Sequence, residues 1–543
     1  MKGYYLILLA LFLAGTVSAQ ENPSLKPDKA FENGNYTAAI KGYEKQLIAL
    51  PKDYQTHLML GKCYIDSYID REKAIYYLEK IKNAKNNDFE VLYFLGRAYH
   101  LNYKFDLAIS AYQTLIDSVG DSSTIKIAIR QIEMCENGKK LIKTPVDVTL
   151  KNLGDTINSD APDFNVFVDQ TESILVFSSK RKRRNKAEAA SADGYYTADI
   201  FMSYLEEGAW QKLKSQSNVC TPSNEEVVGL SADGKLMFLN VSGRGVTGDM
   251  VVSARRSGSF KVPVKVENTL NTNASEMTAS VTQDKQTLYY GSNRDGGEGM
   301  FDIYQAKRLP DLSWALSQSV SLNINTPYND LYPQLSPDEK TLFFASEGHN
   351  SMGGYDLFKS KWDAEKQAWG APQNLGYPIN TPGDDMHFTI NVGGSMGYIA
   401  TWREDSRGDL DIYSVKFNGI ETKKSVIIGQ INTAATIDYT GAANTVNKTK
   451  TTTIIPVKEV ELEVYDSGGE LVGRYATNPN TGNFVLILSP GKYTVDILAE
   501  NYKNASASIE VFGNGAFKTL ISKNFQLESN GIPRSVDYKD VPK

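Results

Sequence analysis

Between residues 157 and 417 one sequence unit returns five times, and this repeat constrains the fold more than any other feature. An aspartate followed by two apolar residues occurs as Asp199-Ile200-Phe201, Asp249-Met250-Val251, Asp302-Ile303-Tyr304, Asp356-Leu357-Phe358 and Asp411-Ile412-Tyr413, at steps of 50, 53, 54 and 55 residues. A second marker precedes each copy: INSDAPD at Ile157, CTPSNEE at Cys220, LNTNASE at Leu270, INTPYND at Ile324 and INTPGDD at Ile379. Between the markers lies a turn and then an apolar run, as in SADGKLMFLNV, TQDKQTLYYGS and SPDEKTLFFAS. Short β-runs punctuated by Gly, Asn, Asp and Pro, in units of about fifty residues, predict a β-propeller with one four-stranded blade per unit. In unit four the strands read LYPQLS, TLFFAS, DLFKSK and APQNLG.

The ends of the repeat predict how a ring would close. Unit five stops after its third strand, near Phe417, whereas VDVTLKNLG (146–154) resembles the outer strand APQNLG. That early segment is expected to complete the last blade, which removes the largest exposed sheet edge. The count is five blades, with six as the alternative if an irregular blade hides in the long first unit. The carboxylates Asp163, Glu225, Glu276, Asp330 and Asp385 recur once per unit. Recurrence in every copy points to a structural role, the hydrogen bonding of turn amides.

Residues 24–143 have helical periodicity and a repeat of their own. LGKCY (60–64) returns as LGRAY (95–99), and Ala39-Ile40 returns as Ala74-Ile75 and Ala108-Ile109. A period of 34–35 residues resembles the tetratricopeptide family, two helices per unit with small residues at the close contacts. The resemblance implies a solenoid whose concave face binds protein or peptide. On that face it places Lys62, Asp66, Tyr93, Arg97 and His100.

From 424 to 526 the pattern becomes β again. VELEV (460–464) alternates apolar and acidic residues, as a half-buried strand does. A Thr/Ala/Asn-rich stretch from Thr433 to Thr453 reads as a long loop. NFVLILSPGKYTVDILAENY (483–502) reads as a hairpin turning at Pro490-Gly491. Gly482, Phe484, Pro490, Gly491, Tyr493 and Tyr502 carry a resemblance to the carboxypeptidase-regulatory-like domain, an Ig-like or prealbumin-like β-sandwich. A polar tail, 527–543, ends the chain. The expected class is multidomain, α plus all-β.

The first nineteen residues read as a secretory signal: Lys2, an apolar run from Tyr5 to Ala14 that is too short to span a bilayer, and small residues up to a cleavage after Ala19. No cysteine follows that run, so no lipoprotein anchor is expected at this site. With no later apolar span, the mature chain is expected to be periplasmic and associated with the cell envelope. Three cysteines exclude a disulfide framework; Cys63 and Cys135 either pair or lie as buried free thiols. A formal net charge of -6 gives no footprint for nucleic acid. The basic run at Arg181, Lys182, Arg183 and Arg184 is a candidate partner-binding loop. No cofactor, metal site or catalytic residue is expected. GGSMG (393–397) fits GxSxG, yet a nucleophile elbow needs a helix after the turn, and a strand is expected there. GGEG (296–299) approaches a calcium-loop phrase, but the other four units lack it.

The phrase INTPYNDLYPQLSPDEKTLFFASEGHNSMGGYDLF resembles the WD-like repeat of the Tol-protein-B family, in the form found in Bacteroidetes envelope proteins. Those proteins join tetratricopeptide units, this propeller, a carboxypeptidase-regulatory-like domain and an OmpA-like domain, the last of which has no counterpart here. The resemblance implies a non-catalytic envelope scaffold linked to type IX secretion or gliding, with a PorP/SprF-like outer-membrane protein as a partner. A glycan- or peptidoglycan-binding module is the alternative.

Overall fold

The computed structural model describes residues 26–84, 88–182, 190–206, 208–243, 246–266, 269–391, 393–419, 424–438, 450–512, 518 and 520–530. Residues 1–25, with the expected signal segment, Arg183, Arg184 and residues 531–543 lie outside them. Two compact units emerge: Met1–Leu205 with Trp210–Gly419, and Ile420–Lys543 with the short piece Glu206–Ala209.

Among the described residues the first unit opens with seven helices: α1 (Pro27–Glu32), α2 (Tyr36–Ala49), α3 (Tyr54–Asp66), α4 (Arg71–Glu79), α5 (Phe89–Leu101), α6 (Phe105–Ser118) and α7 (Ser122–Lys143). Side chains cap four of them, Asn35, Asp53, Asp88 and Asp121 each accepting from a first-turn N–H. The repeated glycines are explained by proximity. A Cβ at Gly61 would run into Leu78, and one at Gly96 into Tyr112. Successive helices pack as neighbours around Tyr43, Tyr64, Leu78, Leu95 and Tyr112. Cys63 and Cys135 are buried free thiols in that core.

Five antiparallel sheets follow, one per sequence repeat. Their first strands are Asp163–Val168, Asn224–Leu230, Glu276–Val281, Asp330–Leu335 and Met386–Ile390. Each of these contacts the first strand of the next sheet, and Met386–Ile390 contacts Asp163–Val168, so the five form a closed ring. Strand order within a sheet follows the chain outward, with short outer strands such as Gln373–Asn374 beyond the third. Sheet five takes its fourth strand from before the ring: Val148–Asn152 pairs antiparallel with Asp411–Phe417, in register Val148↔Phe417 to Asn152↔Tyr413. The sheets are of the β-propeller type. The register slips near the start of every first strand, and Asn165, Tyr332 and His387 there have positive φ. These bulges turn the strand sharply where the ring is narrowest.

The second unit has two sheets. Ser425–Asp438 pairs with Asn483–Leu488 and Lys450–Pro456, and in parallel with Leu520–Ser522 and Phe525–Leu527. The other sheet runs Leu471–Ala476, Val460–Asp466, Gly491–Ala499, Ala505–Val511. Two expectations need correction here. The segment 483–502 is not a hairpin, because its two strands enter different sheets. Phe484, Leu486 and Leu488 bury against Tyr493, Val495 and Ile497 within one core, so the turn carries the chain from one sheet to the other. Nor is 433–453 a loop throughout: Asn432–Asp438 and Pro456–Lys450 form a paired ladder, as β-branched Thr and Ile favour.

Candidate functional site

The helical face expected to meet a partner is partly engaged within the chain. The Lys62 ammonium pairs with Glu90 and lies 4.8 Å from the Phe94 ring centroid. Asp66 and Arg97 form a partly buried pair 3.8 Å apart. Burial raises the Asp66 carboxyl, Arg97 opposes that, and Asp384 from the loop before sheet five adds to it. The Tyr93 ring packs on Phe94 and Tyr112. His100 is not available to a partner: it is 3% exposed, and its Nε2 lies 2.8 Å from the Met352 carbonyl oxygen. Burial depresses its pKa to about 4, so the neutral ring donates there.

Met352 belongs to the loop between the second and third strands of sheet four, residues 347–355. The helices α5 and α7 hold that loop. Arg130 of α7 donates to the carbonyls of Glu347 (2.6 Å), Gly348 (2.9 Å) and His349 (3.3 Å), and its guanidinium lies 4.7 Å from the Tyr328 ring. Asn137 donates to Ser351 O at 3.0 Å. Met352 is fully buried among the helical core residues. A second contact stacks Tyr68 on Trp402 with Arg71 over both rings, and a third sets Tyr103 edge-on to Tyr377. Helices and ring therefore pack as one unit. The repeat patterns give no sign of this, because the contacts use residues that vary between copies.

The recurrent carboxylates are clamps. Asp163, Glu225, Glu276, Asp330 and Asp385 are all buried, and each accepts from the backbone N–H and hydroxyl of the Ser or Thr four residues earlier. A guanidinium joins three of them: Arg181 at Asp163, Arg294 at Glu276 (3.2 Å) and Arg403 at Asp385 (3.6 Å). Arg181 is thus a correction to the basic-loop expectation. Its side chain bonds Asp163 and the Ile157 carbonyl and lies over Phe177 and Phe201, so it is structural. Lys182 is exposed, 5.6 Å from the Tyr196 ring.

A third recurrent device escaped the sequence reading. Asn158, Asn271, Asn325 and Asn380 each bond both the N–H and the C=O of one residue in the third strand of the preceding sheet. For Asn380 that residue is Leu357, at 2.8 and 2.9 Å. Cys220 occupies this place in unit two, with its sulfur 3.3 Å from Ile200 N and 3.8 Å from Ile200 O. The signal was present in the marker as IN, LN and VC.

The four histidines are enclosed or in use. His57 Nδ1 meets Asp53 O, His349 Nε2 meets Ile324 O, and His387 lies against Tyr332 with ring centroids 4.0 Å apart. Burial alone drives His387 down to about 3. Phe167, Val228, Tyr332, His387 and Phe388 leave a void of about 10 Å³ between them, room for a single water at most. A strand, Met396–Thr401, follows Ser395 where a nucleophile elbow requires a helix. Among the described residues no cluster of three or more His, Cys, Asp or Glu could hold a metal, and no helix is long and apolar enough to cross a membrane.

No family model and no curated protein matches the chain. Among solved structures it is similar to TolB from Acinetobacter baumannii (14% identity, 55% of this chain and 73% of that one, TM-score 0.30). It is also similar to a putative TolB from Agrobacterium tumefaciens (11%, 63% and 97%, TM-score 0.29) and to the WD40 repeats of RRP9 (8%, 50% and 98%, TM-score 0.26).

Proposed function

We propose that this chain is a non-catalytic, exported scaffold that binds other proteins of the cell envelope. On this reading the helices are a tetratricopeptide array, the ring is a five-bladed WD-like propeller of the Tol-protein-B type, and the second unit is a carboxypeptidase-regulatory-like sandwich. The setting is the periplasm, beside an outer-membrane or type IX secretion and gliding complex, with a PorP/SprF-like protein as the partner. One observation carries the reading: the recurrent carboxylates and all four histidines serve internal contacts, leaving no polar constellation set apart from the repeat among the described residues. What remains for recognition is surface, including the stretch of helical face around Lys62 and Tyr93.

Mild crosslinking of native envelopes followed by affinity recovery tests this. An outer-membrane protein or a secretion component is the expected capture. Retention of the purified chain on cell-wall sacculi, with no protein captured, would replace the scaffold by a peptidoglycan-binding module.

A further inference from the structure

The junction between sheets three and four lacks both the guanidinium found at three of the clamps and the asparagine found at Asp356 and Asp411. At Asp163, Glu276 and Asp385 a guanidinium faces the carboxylate. In sheet four Gly348 stands at that position. His349 takes the arginine's seat instead. Its ring lies 5.9 and 5.2 Å from Phe344 and Phe358, and its Nε2 meets the Ile324 carbonyl, as Arg294 lies over Tyr290 and Tyr304 and donates to Leu270 O. Burial and the nearby Arg130 hold that imidazole below its ordinary pKa, so it brings no charge.

The second carboxylate of the junction is Asp302. Its counterparts Asp356 and Asp411 accept an amide N–H from Asn374 (2.8 Å) and Asn152 (2.7 Å). Sheet three has Ser319 there. One oxygen each of Asp302 and Asp330 is left without a hydrogen bond, as is one of Asp411, so the missing guanidinium and amide rather than the orphaned oxygen set this junction apart; Asp302 and Asp330 are at most 1% exposed. The Asp330 N–H bonds the carbonyl of Phe301, which places the two carboxyls on adjoining backbone.

Two ionised carboxyls enclosed with no counter-charge cost more than neutralising one of them. A cation or a proton could do so, and the packing distinguishes them. A Cβ at Gly297 would run into Asp302 Oδ2, one at Gly299 into Tyr328 O, and one at Gly348 into Thr326. A hard cation needs six or more oxygens around it. We propose that one of Asp302 and Asp330 is protonated at neutral pH, which makes this junction a proton-binding site.

Site and helices are linked. Asp330 fixes Thr326, and Tyr328, two residues on, lies under Arg130 of α7. The other titratable groups facing the pair are Glu298 on the glycine loop, Tyr304 and Tyr355. Glu347, in the helix-bound loop, is also raised, to about 7, by burial and Asp384. Burial, with the Asp302 charge added, raises Asp330 to about 7, above its unfolded value. A carboxyl raised on folding binds the proton more tightly in the folded chain, so its stabilisation is present at low pH and is lost as pH rises toward 7.

Thermal unfolding of the full chain from about pH 8 to about pH 6 tests this. D330N places a permanently neutral group of the same shape at the site. It should melt above wild type by about 3 °C at the upper pH, and the gap should close toward the lower pH. Because Glu347 is raised to about 7 as well, the comparison is repeated in an E347Q background, where D330N should still melt above its parent at the upper pH with the gap closing toward the lower pH. Parallel melting curves for wild type and D330N would overturn the proposal. So would calcium raising the melting temperature of EDTA-treated wild type but not of D330N, which would make the site a cation site. Should D330N fail to fold, D302N gives the same comparison. An infrared band of protonated carboxyl near neutral pH should weaken in D302N and in D330N; a band unchanged by both would belong to another buried carboxyl, such as Asp356, which burial raises to about 8, and would refute the proposal.

Discussion

A single amide does the joining between neighbouring sheets. Asn380 is fully buried and replaces a missing strand partner for Leu357, meeting its N–H and its C=O at once. Truncation to alanine would leave the Leu357 N–H unpaired, while its C=O keeps the Leu375 N–H. N380A is therefore expected to cost roughly 2 kcal/mol, read as a lower urea midpoint with the slope unchanged. Cys220 offers the converse test. Sulfur is a weak donor and acceptor, and its contacts with Ile200 are long. C220N restores the side chain found at the other four junctions and is expected to stabilise by about 1 kcal/mol, read as a raised melting temperature. The sequence presents these asparagines as register marks, since they recur beside the clamp residues. It does not reveal that they bridge sheets, because their partners lie some twenty residues away in three cases and at the opposite end of the repeat, in Ile412, for Asn158.

Among the elements, α7 shows why helix period alone does not name a binding face. Its Arg130 is buried, yet lies in a sequence that reads as ordinary amphipathic helix. The loop it holds, EGHNSMGGY, reads as a turn like the loops of the other units. Only three-dimensional proximity shows Met352 filling the helical core. The face around His100 was legible as a face; that the chain itself covers His100 was not. R130A removes the donors to three carbonyls and is expected to cost roughly 3 kcal/mol of local stability. R130K should recover little, since an ammonium cannot reproduce the planar fork. Hydrogen exchange checks both: amides of 347–355 and of α7 should exchange faster together, while the outer strands of sheet two keep their protection.

At the scale of the molecule, closure is the step on which the ring depends, and it was readable because Val148–Asn152 repeats the outer-strand phrase of unit four. The register tells which positions carry the ladder. Leu153 N–H bonds Ile412 O and Asn418 N–H bonds Asp147 O, so Thr149 and Lys151 between them occupy hydrogen-bonded pairs. Lys151 points to solvent, so proline there removes a ladder bond and little packing. K151P is expected to cost about 3 kcal/mol, more than a surface position otherwise warrants. The loss should be felt across the ring. Freed of its partner, Asp411–Phe417 becomes an exposed edge, and Asn152, which donates to Asp411, and Asn158, which holds Ile412, lie in the same released segment. Exchange in sheets five and one should therefore quicken together, and sedimentation should show self-association that grows with concentration. A K151P chain that stays monomeric, with exchange altered only at 148–152, would mean that the asparagine bridges and the inner-strand contacts close the ring without the outer strand.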